Sequence, residues 1–251
     1  VGGVRTRSVL AIVVGALSLA LVAVVVVVVV AGQVLDRPAE RSIPVDRDAP
    51  PPPVAPLEPG TDPAAWARST AERAEIPERT LSAYANAELR QRDRTPECGL
   101  SWSTLAGIGR VESGHARFDG AAPDADGRVT PPIIGIPLDG TNGTRRIPDT
   151  DGGRLDGDPD LDRAVGPMQF LPGAWERYGA DGDGDGTADP HQIDDAALAA
   201  AGLLCRRDGD LTDGADWWDA VLGYNTSSAY ARDVWSAAAR YAQRTGIAVT
   251  G

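Results

Sequence analysis

The chain has no lysine, two cysteines, two histidines, one methionine and only 5% aromatic residues among 251 positions. All 24 Lys-or-Arg positions are therefore Arg, which reads as a coding bias of a GC-rich genome and not as a physical demand. The net charge of −12 argues against nucleic acid as a partner, because phosphate binding needs a basic surface. With two Cys and two His there is no Cys/His metal cluster, and the cysteine spacing fits no zinc pattern. No Ser/His/Asp triad signature and no phosphate-cradling glycine loop is present, and no organic cofactor is called for. Six of the few aromatics are Trp, a share that suits core anchors or sugar-stacking faces; core packing is the default for each.

What is there begins with a long apolar run. Val9 to Ala31 carries no charge and contains seven consecutive valines, Val24 to Val30. At about 1.5 Å per residue it spans a hydrocarbon core of about 30 Å. Arg5 and Arg7 precede it, and the next basic residue is Arg37. The positive-inside rule then puts residues 1–8 in the cytoplasm and everything beyond 32 outside, as a single-pass cell-membrane protein. The competing reading is a cleaved signal peptide ending near Val29-x-Ala31, although signal-peptide cores usually run about 7–15 residues. Residues 32–62 hold the cluster Ala49-Pro50-Pro51-Pro52-Pro53-Val54-Ala55-Pro56 and predict an extended spacer. Residues 63–251 are long enough for one well-buried domain.

Outside the membrane, Cys98 and Cys205 favour a disulfide closing a loop of about 100 residues, worth at most ~4–5 kcal/mol in the chain-entropy model. Two buried free thiols are the alternative.

The domain reads as mainly α. Asp62-Pro63 is an N-cap followed by Pro at the first helical position. A second helix is predicted over 77–92, with Leu81, Tyr84, Ala85 and Leu89 on one face. Ser101 or Ser103 caps a third, which carries Leu105, Ile108 and Val111 to Glu112 and stops at Gly114. Helical patterning returns over 172–178, 194–206, 217–222 and 228–244. Between them, residues 119–163 form an Asp/Gly/Pro/Thr-rich insertion in which only Pro131 to Leu138 looks like a strand or pair of strands. A connection this long is usually functional or disordered; it could wall the substrate groove.

Glu112 is the chemically pointed residue. A carboxylate at the end of an apolar helix can be half-buried, and burial raises its pKa. A protonated Glu at neutral pH is what acid-catalysed glycosidic cleavage needs. The bland alternative is a solvated helix-end Glu.

Three segments then fall in order: Glu112-Ser113-Gly114-His115, Gly166-Pro167-Met168-Gln169-Phe170 and Gly223-Tyr224-Asn225. Together they resemble the lytic transglycosylases of goose-type, lysozyme-like fold, in particular the MltB-like murein transglycosylases of high-GC Gram-positive bacteria. The resemblance covers most of residues 64–245. It implies Glu112 as the single catalytic acid and base, and Ser113, Met168, Gln169, Tyr224 and Asn225 as substrate-binding residues. It further implies peptidoglycan glycan strands as the substrate, cleavage of the MurNAc–GlcNAc β-1,4 bond, and 1,6-anhydro-MurNAc ends. A hydrolytic muramidase and a non-catalytic peptidoglycan-binding protein are the alternatives.

Asp181-Gly182-Asp183-Gly184-Asp185-Gly186-Thr187-Ala188-Asp189 matches the first nine positions of an EF-hand loop, with Gly at the sixth. Position twelve departs, Gln192 standing where a bidentate Glu is usual. Asp194 or Asp195 would close the site. The candidate Ca²⁺ ligands are Asp181, Asp183, Asp185, Thr187, Asp189 and Asp194, and the resembled family carries a calcium loop at this place. The stretch Asp149 to Asp158 lacks such spacing and reads as solvated loop.

Overall fold

Helix signals are met first by the backbone. In the computed structural model, which describes residues 56–141 and 144–246, Asp62 accepts hydrogen bonds from the amides of Ala64 and Ala65 and starts helix α1 (Pro63–Ala74). Helix α2 (Glu78–Arg94) follows, then α3 (Trp102–Ser113), α4 (Pro172–Tyr178), α5 (Ile193–Leu204), α6 (Gly214–Tyr224) and α7 (Ser228–Thr245). All described residues lie in the unit Pro44–Gly251; the unit Val1–Ile43 lies outside them. Among the described residues no helix is long and apolar enough to cross a membrane, and the predicted anchor at 9–31 falls outside that range.

Helix α3 is the centre of the fold. Trp102, Leu105, Ala106 and Ile108 are wholly buried, and α3 packs against α7, α2 and α5. Its first eight residues, Trp102 to Gly109, are all buried, and only Ser103 and Thr104 among them are polar. Gly109 faces Tyr84 of α2 so closely that a Cβ there would lie 1.9 Å from the phenol oxygen. Any side chain would collide with the Tyr84 phenol.

The start of α3 corrects one expectation. Ser101 holds the cap position, but its hydroxyl makes no capping bond. The first free amide, of Trp102, instead donates to Glu88 Oε2 at 2.7 Å, and the Leu57 amide donates to Glu88 Oε1 at 2.7 Å. Burial pushes the Glu88 pKa up, while those two amides and Arg92 act in the opposite direction. Leu57 is itself in the core. The spacer therefore joins the fold by residue 57, earlier than the boundary at 63 that the sequence implies.

Cys98 and Cys205 form a disulfide with Cα atoms 5.7 Å apart, tying the approach to α3 to the end of α5. Trp102, Trp175, Trp217 and Trp218 are core residues.

The strands of the insertion are elsewhere than predicted. An antiparallel pair joins β1 (Ala122–Pro123) to β2 (Val129–Thr130). Asp124 accepts from the amides of Gly127 and Arg128 at 2.9 Å each, which closes the turn. The apolar stretch 131–138 forms no named strand. It runs beside 161–166 through single bridges and bonds such as Gly135 N to Ala164 O and Gly166 N to Ile133 O, both 2.8 Å. Two prolines at its start remove the donors that a regular ladder needs.

Candidate active site

Glu112 is the penultimate residue of α3, half-buried where the helix stops at left-handed Gly114. Tyr230, in the first turn of α7, donates its hydroxyl to Glu112 Oε1 at 2.6 Å. Ser227 holds that turn by accepting from the Tyr230 amide at 3.3 Å. Burial pushes the Glu112 pKa up from 4.5 to about 7, against the hydrogen bond from Tyr230, which lowers it. Among the described residues no second carboxylate contributes to that shift. At neutral pH the side chain therefore exists in both forms and can give or take a proton.

The contacts continue outward from Glu112. The rings of Tyr224 and Tyr230 lie parallel, 6° apart with centroids 6.5 Å apart. The Tyr224 hydroxyl donates to the Met168 carbonyl at 2.6 Å. Burial first, then the charge of Glu112, raises the pKa of both phenols, so both stay neutral donors. The end of α3, the Met168–Gln169 segment, the end of α6 and the start of α7 thus converge on one carboxylate.

Not every residue expected to face substrate does so. Ser113 is buried; its hydroxyl donates to the Pro167 carbonyl at 2.7 Å and accepts from the Ala116 amide at 2.8 Å. It straps α3 to the Gly166–Gln169 segment. The Met168 side chain is wholly buried, so only its backbone serves the site. Gln169 is partly exposed, with φ of 48° and Nε2 donating to Gly166 O at 2.9 Å. A non-glycine residue held in the left-handed region stores strain of a kind that clusters at functional sites. Asn225 is exposed and accepts from the Ser227 amide at 3.0 Å, spanning the junction of α6 and α7. Beneath the site, His115 bonds Tyr84 through Nδ1 (3.3 Å) and Tyr241 through Nε2 (2.7 Å). Burial, then Arg110 and Arg117, pushes its pKa down to about 3, so it is a neutral brace.

Tyr230 is the residue that sequence reasoning missed. The available signal was its place at the start of the buried stripe of α7 with Val234, Ala237 and Tyr241, five residues after Asn225.

In the acidic loop, carboxylate oxygens of Asp181, Asp183 and Asp195 lie within 4.8 Å of one another. Asp194 does not join them: its carboxylate is engaged by the Arg79 guanidinium. The helical step from 194 to 195 turns the side chain through about 100°, which gives Asp195 the loop and Asp194 the arginine. Asp195 accepts from the Gly182 amide at 2.6 Å and the Asp189 amide at 2.8 Å. Burial is the main cause that pushes its pKa up to about 6, with Asp183 adding to it. Asp189 pairs with Arg128 at 2.8 Å, while Asp185 and Thr187 are exposed, the Thr187 amide donating to Asp185. The hard-oxygen donor set fits calcium.

A cavity of about 180 Å³ bounded by Glu88, Gln91, Arg92, Cys98 and Thr212 lies on the disulfide side of the fold. Neither Glu112 nor Tyr230 lines it, and it is not the site described here.

Residues 162–218 match the Transglycosylase SLT domain family. That segment contains Met168, Gln169 and the acidic loop, and ends before Tyr224; Glu112 precedes it. No curated protein matches the chain. Two solved structures of the Escherichia coli lytic transglycosylase Slt35 are similar to it. The complex with bulgecin A is 14% identical, with 74% of this chain and 80% of that chain covered and a TM-score of 0.39. The complex with calcium is 15% identical, with 74% and 76% covered and a TM-score of 0.41.

Proposed function

We propose that this protein cleaves the MurNAc–GlcNAc β-1,4 bond of peptidoglycan with Glu112 as its single acid and base, leaving 1,6-anhydro-MurNAc ends. The observation that carries the proposal is the Glu112 carboxyl, pushed by burial to about 7 and bonded to one neutral phenol. Protonated Glu112 donates to the glycosidic oxygen as the C1–O bond breaks, and the transition state is oxocarbenium-like. The resulting carboxylate takes the proton of the muramoyl C6 hydroxyl, whose oxygen attacks C1 and closes the anhydro ring. An internal nucleophile has a large effective molarity, so neither an activated water nor a second carboxylate is required. Tyr230 steadies the carboxylate between the two steps, and Tyr224 fixes the Met168–Gln169 backbone beside it.

Calcium, if bound, would be held by Asp181, Asp183 and Asp195 and would pin the loop ahead of α5. It would supply structural support and take no part in the bond cleavage. The apolar run at 9–31 supports a membrane anchor of the high-GC Gram-positive family type, with the domain outside the membrane. The Cys98–Cys205 disulfide suits that oxidising side.

Digestion of purified sacculi followed by mass spectrometry tests the reading. Soluble fragments with the 1,6-anhydro mass are expected from the wild type and none from Glu112→Gln, which still binds glycan. Reducing-end products without the anhydro mass would make the protein a hydrolytic muramidase. No fragments from the wild type would leave a binding protein.

A further inference from the structure

We propose that His115 and Tyr241 are positioning residues for Glu112: their hydrogen bond fastens the end of α3 to α7 a second time and sets how far the Glu112 carboxyl is withdrawn from water. This rests on the reading of Glu112 as the acid.

The Glu112–Tyr230 bond is one tie between α3 and α7. The bond of 2.7 Å between His115 Nε2 and the Tyr241 hydroxyl is another, with the two rings edge to face at 5.6 Å. Tyr230 and Tyr241 are about three helical turns apart and so share the buried face of α7. Arg110 of α3 also donates to the Tyr241 hydroxyl. On the other side, Nδ1 of His115 meets the Tyr84 hydroxyl of α2 at 3.3 Å. A neutral imidazole has one donor and one acceptor nitrogen, and a phenol can take either part. The groups that act on the ring are these two phenols and the guanidiniums of Arg110 and Arg117.

The backbone under this ring is unusual. Gly114, His115 and Ala116 have φ of 60°, 66° and 63°, three left-handed residues in a row. Outside glycine that conformation is strained and persists only where the surroundings impose it. Here the His115 amide donates to the Gly109 carbonyl at 2.9 Å, and the His115 carbonyl accepts from Thr80 Oγ1 at 3.4 Å. The turn thereby places the imidazole between α2 and α7, three positions after Glu112.

Burial is the larger influence on the Glu112 carboxyl, and the Tyr230 bond is the smaller one, of opposite sign. Loosening α7 from the end of α3 weakens both, so the larger prevails and the pKa falls. Removing the Tyr230 hydroxyl alone moves it the other way.

Carbon-13 NMR of the carboxyl in the full-length chain, assigned with Glu112→Gln, reads that pKa without turnover; digestion of sacculi reads the rate. Tyr241→Phe keeps the ring and removes the hydroxyl. The Glu112 pKa is expected to fall from about 7 by about one unit. The rate at pH 7 should fall about fivefold, as the protonated share drops from about a half to about a tenth. His115→Asn suits a left-handed backbone but is too short to bridge both phenols. It should act alike, and the double variant should shift no further than either single one. Leu211→Ala, a core truncation near Cys98, should lower the melting temperature and leave the Glu112 pKa in place. A Glu112 pKa that stays put in Tyr241→Phe or His115→Asn, or that moves as far in Leu211→Ala, overturns the proposal. A shifted pKa in a chain whose wild type cuts nothing would refute the catalytic reading and leave the fastening intact.

Discussion

Replacing Glu112 by Gln should stabilise the protein, and the gain should depend on pH in a way set by the site. The Glu112 carboxyl has a folded-state pKa of about 7 against 4.5 when unperturbed. Below 4.5 the group is protonated in both folded and unfolded chains and costs nothing. As pH rises, the unfolded chain ionises first, so folding must keep a proton on the buried carboxyl or bury a charge. The cost grows from pH 4.5 and levels off above 7, at about 3 kcal/mol. Gln has no such titration and keeps an oxygen for the Tyr230 hydroxyl. In Glu112→Gln the melting temperature at pH 8 should therefore exceed that of the wild type by about 5–10 °C, and the two should coincide near pH 4. Glu88 and Asp195 also have raised pKa values, but they are common to both proteins and cancel in the difference. Calorimetry or urea unfolding at several pH values reads the effect. A Glu112→Gln protein with no extra stability at pH 8, or with a gain that does not fade on acidification, would show that Glu112 is not buried as described.

Tyr230→Phe removes the one bond that lowers the Glu112 pKa, so the alkaline fall in activity should move up by about one pH unit, hydrogen bonds to charged groups being worth about 1.5–3 kcal/mol. The rate on the acid side should fall as well, since the carboxylate formed in the first step loses its donor; a pH–rate profile superimposable on the wild type would refute the role. Chelation should lower the melting temperature, by about 2.7 kcal/mol of stability if free calcium stood at about a hundred times Kd. Asp195→Asn should abolish that response and Asp194→Asn should retain it, because Asp194 serves Arg79; the reverse pattern would return the ligand role to Asp194.

The helices were legible because their ends carry local chemistry: Asp62-Pro63 for α1 and Gly114 for α3. The Glu112 environment was legible too, as an acid closing an apolar helix. What the sequence concealed was direction and partnership. Met168 and Ser113 lie at the site in sequence, yet the Met168 side chain is buried in the core and the Ser113 hydroxyl is tied to the Pro167 carbonyl, partners that no local pattern announces. Tyr230 and Glu112 are far apart in the chain, and no spacing rule links them. Asp194 and Asp195 differ only by one helical step, and a distant arginine on α2 decides between them. In the insertion, apolar content pointed to strands at 131–138, while the ladder formed at Ala122–Pro123 and Val129–Thr130, around a turn set by Asp124.

The disulfide has a topological consequence. Cys98 and Cys205 enclose α3, the insertion, the Met168–Gln169 segment and the acidic loop in one covalent ring, with α6 and α7 outside it. Any single backbone cut inside that ring, including one in the long insertion, leaves one molecule and not two fragments. The insertion can thus be nicked, lengthened or recut without the carboxyl on α3 parting company with the phenol on α7. The bond makes the longest connection between helices, from α3 to α4, part of a closed loop.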